Sequence, residues 1–114
     1  MKFKNMFSPI QIGPMTVKNR FVVPPMGNNF ANSDGTWSDE SVAYYGERAK
    51  GQFGLITIEA TVVHKGAKGG PKKPCLYDDN SIESLKKITD ACHEEGAKVS
   101  IQLQNAGPEG NAKN

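Results

Sequence analysis

The sequence predicts an α/β fold built on parallel strands, and three observations lead there. Three short stretches, Phe21 to Pro24, Leu55 to Glu59 and Val99 to Leu103, read as continuous apolar or β-branched runs, the pattern of strands covered on both faces of a parallel sheet. Helical periodicities separate them. The order strand, helix, strand, helix, strand then requires parallel pairing through right-handed crossovers.

Each element carries its own signal. Ahead of the first strand, Pro9-Ile10-Gln11-Ile12 and Met15-Thr16-Val17-Lys18-Asn19 alternate apolar and polar residues about Gly13-Pro14, which predicts a separate β-hairpin. The first helix begins with Ser38 as N-cap and Asp39 and Glu40 in its first turn; Val42, Tyr45 and Ala49 mark one face, and Gly51 stops it. In the second, Asn80 as N-cap and Glu83 form the pattern of a capping box. Ile82, Leu85, Ile88 and Cys92 then follow at helical spacing, and Gly96 ends the run. Residues 64–74, HKGAKGGPKKP, hold four Lys, three Gly and two Pro and read as a flexible, solvated loop. The alternative of a phosphate-cradling loop lacks the G-x-x-x-x-G-K-[ST] spacing and a helix directly behind it. There is no repeat or linker, so 1–114 reads as part of one domain, with the hairpin in 1–20 and three strands and two helices in 21–114.

Composition narrows the function classes. The chain has 114 residues, 37% hydrophobic and 23% charged, which excludes disordered, collagen-like and membrane-spanning classes. Its start, Met1-Lys2-Phe3-Lys4-Asn5, has no apolar secretory stretch, and the expected compartment is the cytoplasm. A formal charge of +2 is too small to imply a nucleic-acid or membrane partner. Cys75 and Cys92 have no metal-ligand spacing, so no metal is expected; Cys92 reads as a core hydrophobe, and His64 and His93 as solvated surface residues.

In parallel β/α proteins, chemistry gathers at the carboxyl ends of the strands. Here those ends are Pro24-Pro25-Met26-Gly27-Asn28-Asn29, Glu59-Ala60-Thr61 and Gln102-Leu103-Gln104-Asn105-Ala106-Gly107. They hold no nucleophile with an adjacent base and no carboxylate pair, which argues against hydrolysis. They offer instead a neutral floor of amides and small residues. Gln102, inside an apolar strand, is expected to be buried and to need partners for both its oxygen and its nitrogen; the pyrimidine edge of a flavin or the neighbouring backbone would each serve.

The segment Phe7-Ser8-Pro9-Ile10 through Lys18-Asn19-Arg20, followed by Val22-Val23-Pro24-Pro25-Met26, resembles the opening of the old yellow enzyme family of FMN-dependent ene reductases. Gly51-Gln52-Phe53-Gly54-Leu55-Ile56 to Glu59-Ala60 resembles the family's second strand, and Gln102-Leu103-Gln104-Asn105-Ala106-Gly107 its Q-L-x-H-A-G-R, with Asn105 and Pro108 in place of His and Arg. The resemblance implies a (β/α)₈ TIM barrel, closed at the bottom by the hairpin and carrying FMN across the top. It implies that Pro25, Met26 and Gly27 place backbone along the flavin, with Gly27 standing where some relatives carry Cys or Thr. Ala60 lets the ring lie close, and Gln102 bonds the pyrimidine. It also implies NADH or NADPH as hydride donor and a small-molecule activated alkene as acceptor; it identifies no catalytic residue in this segment. Such a barrel needs roughly 250 residues, so the expectation is an amino-terminal portion, inactive alone, that pairs with the remaining barrel or with itself. The rival expectation is a truncated, non-catalytic interaction module.

Overall fold

In the computed structural model, which describes residues 2–110, the chain opens with an antiparallel hairpin of β1 (Ile10–Ile12) and β2 (Met15–Val17). Gly13 has φ +55°, the left-handed value that a primed two-residue turn requires at its first central position. Lys18 Nζ donates to the Glu95 carbonyl at 2.7 Å and Asn19 Nδ2 donates to the Gln52 carbonyl at 2.7 Å, so the hairpin docks on the loops that lead into the later strands. Gly54 is needed at that junction, because a Cβ there would fall 2.7 Å from both Asn19 Oδ1 and Val17 Cγ1.

Beyond the hairpin, β3 (Val22–Val23), α1 (Asp39–Lys50), β4 (Leu55–Val62), α2 (Ile82–Glu94) and β5 (Lys98–Gln104) alternate as predicted. The sheet is parallel in the order β3-β4-β5. Ser38 caps α1 as expected, its Oγ accepting the Ser41 N–H at 3.1 Å, and α2 ends at Gly96 with φ +80°. Among the described residues no helix is long and apolar enough to cross a membrane.

Four sequence expectations change. First, α2 has no capping box: Asp78 accepts the Asn80 N–H at 3.0 Å and starts a short 3₁₀ turn, Asp79–Ser81, from which the helix grows. Ile82 is consequently 56% exposed, while Ile88 and Cys92 are fully buried. Second, β4 runs three residues beyond Glu59, to Val62. Third, the strands are covered on one face only. Val23, Ile56, Ile58, Val99 and Ile101 pack with Trp37, Tyr45, Ala49, Ile88 and Cys92 in the core beneath the helices. The register rows Val22-Leu55-Lys98 and Thr57-Ser100 alternate with them and face the other way, and Thr57 Oγ1 and Ser100 Oγ meet there at 2.7 Å. Fourth, the lysine-rich loop is anchored: Lys68 is buried and donates from Nζ to the Ser33 carbonyl at 3.1 Å, and Cys75 bridges to Val62. Of the loop expected after β5, residues 111–114 lie outside the described residues.

His64 and His93 are exposed as predicted, and burial pushes the Cys92 thiol up to about 11, in keeping with an inert core position. The first residue of the apolar stripe of α2 and one in its middle should respond differently to truncation. Ile88→Ala, at the centre of the core, is expected to cost about 2–5 kcal/mol in a urea titration, whereas Ile82→Ala should stay within about 0.5 kcal/mol of wild type. Equal losses would contradict the packing described.

Candidate functional site

The loops that follow the three strands interlock on one rim. The Val63 N–H donates to the Gln104 carbonyl at 3.2 Å, the Cys75 N–H to Gly35 at 2.8 Å and the Ala106 N–H to Ala67 at 3.3 Å. Between Ile58↔Ile101 and Thr61↔Leu103, β4 advances three residues against two on β5, which is a β-bulge carrying Glu59 and Ala60. The bulge changes the alternation along the strand, so that Ile58 and Glu59 are consecutive buried residues and Ala60, half-buried, turns away.

Glu59 is solvent-inaccessible, and its environment explains how a carboxylate is tolerated there. Its backbone N–H donates to Tyr45 Oη at 3.0 Å, while Tyr45 Oη donates to Glu59 Oε1 at 3.4 Å. Oε2 accepts the Asn28 N–H at 3.2 Å. Burial raises the Glu59 carboxyl above its ordinary value, against the smaller opposing effects of Asn28, Tyr45 and Lys73. Burial likewise raises the Tyr45 hydroxyl, which stays protonated and available as a donor. The Asn28 link ties the segment after β3 to β4. That brings Pro25, Met26 and Gly27 to the same rim as Ala60.

The predicted residues lie as follows. Pro25 is half-buried, Met26 is 46% exposed and Gly27 is exposed. Gln102 is exposed as well, which corrects the expectation of a buried amide. It lies two residues beyond Ser100 on the face opposite the helices, where no described element covers it, and its side chain makes no hydrogen bond among the described residues. Asn105 Oδ1 accepts the Gly107 N–H at 2.9 Å and so shapes its own loop.

Sequence reasoning missed three participants: Glu59 as a buried organiser, Asn28 as its partner, and Lys73. An acidic residue closing an otherwise apolar strand was the available signal for the first. Lys73 left none, since only the fold brings its ammonium to Gly27, where Nζ lies 3.2 Å from the position a Cβ would take. Asn28 Nδ2 is buried without a partner among the described residues. The rim therefore presents amide donors and acceptors, two small residues and the Lys73 ammonium, with no exposed carboxylate on β4 to act as a base.

A family model described as the NADH:flavin oxidoreductase / NADH oxidase family matches residues 5–114. The structure of a 2-naphthoyl-CoA reductase in complex with 2-naphthoyl-CoA is similar at 33% identity and a TM-score of 0.91, over 96% of this chain and 17% of that one. An old yellow enzyme from Trypanosoma cruzi is similar at 36% identity and a TM-score of 0.88, over 96% of this chain and 29% of its own. Morphinone reductase in complex with tetrahydroNAD is similar at 28% identity and a TM-score of 0.84, over 93% of this chain and 28% of that one. The chain thus spans less than a third of the length of each of these proteins.

The raised Glu59 carboxyl has a signed consequence for stability. A group that binds its proton more tightly when folded contributes stability below its unfolded value, near pH 4.5, and loses it as pH rises through the folded value. Glu59→Gln removes the charge and keeps an acceptor for Asn28. Its urea midpoint relative to wild type should therefore rise between pH 4 and pH 7; a relative midpoint that falls over that range would contradict the assignment.

Proposed function

The chain belongs to the NADH:flavin oxidoreductase / NADH oxidase family, and on that basis we propose that it is the amino-terminal portion of an FMN-dependent oxidoreductase that reduces activated C=C bonds with hydride from NADH or NADPH. Its fold is that of the family's (β/α)₈ TIM barrel, of which it carries the hairpin, three strands and two helices.

One observation carries the reading: an unpartnered primary amide, Gln102, stands on an uncovered sheet face whose rim is lined by the small residues Ala60 and Gly27. That surface fits a flat heteroaromatic ring with carbonyl and N–H groups along one edge. Gln102 would supply both an acceptor and a donor to the pyrimidine edge, Ala60 would let the ring approach β4, and the backbone of Pro25, Met26 and Gly27 would run along its side. A bound flavin would supply the redox chemistry, the carriage of hydride between the nicotinamide and the alkene. The contribution of this segment is to bind and orient. Glu59 is buried and engaged by Asn28 and Tyr45, so it holds the rim in place and does not exchange protons with a substrate.

The rest of the barrel is the partner this reading assigns. Val22 is 48% and Leu103 60% exposed, and the free edge of β5 invites further pairing. The remaining β/α units would cover both, with a second copy of the chain as the rival occupant. Native mass separates the two.

In the flavin-loaded protein, oxidation of NADH or NADPH should depend on an added α,β-unsaturated ketone, and an alkene-independent rate would argue for a plain oxidase. Gln102→Leu keeps a similar volume and removes both hydrogen bonds to the ring. It is expected to weaken FMN binding by about 1–3 kcal/mol, roughly 5- to 150-fold in Kd by flavin titration, and an unchanged Kd would remove Gln102 from the site.

A further inference from the structure

We propose that Lys73 is a tuning residue of the flavin site: its ammonium occupies the space beside Gly27 and holds a positive charge at the edge of the ring. The inference rests on the flavin reading above, and its geometry belongs to this chain. Nζ of Lys73 lies 3.2 Å from where a Cβ on residue 27 would be. Glycine at 27 therefore leaves room for a cation delivered from a different loop.

Two features bear on Lys73, and the first separates it from the other lysines of its loop. The first is anchoring. Directly after it, the Val62 N–H donates to the Pro74 carbonyl at 2.9 Å and the Leu76 N–H to the Val62 carbonyl at 2.8 Å, so the stem of Lys73 starts from a point fixed to the end of β4. Lys68, in contrast, is committed to the Ser33 carbonyl, and Lys65 and Lys72 are exposed. The second is its unneutralised charge. The described ion pairs are Lys50–Glu47 and Lys86–Asp90, both on helix surfaces. Glu59 senses Lys73 electrostatically, but its carboxylate oxygens are occupied by Asn28 and Tyr45 and make no ion pair with the ammonium among the described residues. A half-buried cation at the rim, with no carboxylate in contact, stabilises whatever negative charge an adjacent ring acquires on reduction.

The test is the two-electron midpoint potential of the flavin-loaded protein, read by equilibration with a redox dye. Lys73→Gln should favour the oxidised flavin at least tenfold more than wild type does, a drop of about 30 mV for a two-electron couple. Lys73→Arg, which keeps the charge, should recover most of it. Gly27→Ala supplies an independent arm: the new methyl displaces the flexible end of Lys73, lowering the potential in the wild-type background and leaving it unchanged when Lys73 is already Gln. A flavin-loaded Lys73→Gln or Gly27→Ala variant at the wild-type potential would overturn the inference alone. Failure of the wild-type protein to bind FMN in a complete barrel would overturn the functional reading, and the inference with it.

Discussion

The hydroxyl of Tyr45 is the interaction on which the rim depends. A bulge in a central parallel strand leaves a backbone N–H without a ladder partner, and burying that group unpaired would cost about 1–3 kcal/mol. Tyr45 reaches from α1 to accept the N–H of Glu59 and turns its own proton toward the Glu59 carboxylate. The same carboxylate takes the Asn28 N–H, so one phenol on a helix fixes the bulge, the buried acid and the segment that follows β3. Remove the bulge and the alternation would carry Glu59 to the open face and Ala60 toward the helices. The small residue would then no longer face the space where a ring can lie.

The division of the sheet into two faces follows from the same register. Ile56, Ile58, Val99 and Ile101 are taken up by the helices, leaving Thr57, Ser100 and Gln102 to define the other side. A polar inner face would be a poor beginning for a self-contained core, but it suits a surface that awaits a heteroaromatic ligand and further strands. The hairpin closes the opposite end through Lys18 and Asn19, which separates the structural end of the sheet from the end where loops interlock.

Much of this was legible in the sequence, and the reasons differ by element. Turn glycines and Ser38 act through local backbone chemistry, so the hairpin and α1 could be read directly. The parallel order was readable because short apolar runs alternate with amphipathic helices. What could not be read was which face each strand residue takes, since the runs look apolar throughout and the bulge shifts the phase midway. Asn80 looked like a cap for the same reason that Asp78 is one: both are short oxygen-bearing side chains just ahead of a helical turn, Asn80 two residues before α2 and Asp78 directly before the 3₁₀ turn that leads into it. Gln102 stood out as an amide inside an apolar strand, and Ala60 and Gly27 were found through resemblance; Asn28 and Lys73 acquire meaning only from distances across loops. The anchoring of the lysine-rich loop is likewise a tertiary fact, made by the Ser33 carbonyl and the Val62–Cys75 bridge.

The central claim is that the uncovered sheet face, at the carboxyl ends of its strands, is the bed of a flavin. A crystal structure of the flavin-loaded protein tests it most directly. The account predicts the ring over Ala60 and beside Gly27, with its pyrimidine edge within hydrogen-bond distance of both polar atoms of the Gln102 amide. A ring bound on the helix side of the sheet, or a Gln102 amide pointing into solvent while FMN is bound, would contradict it.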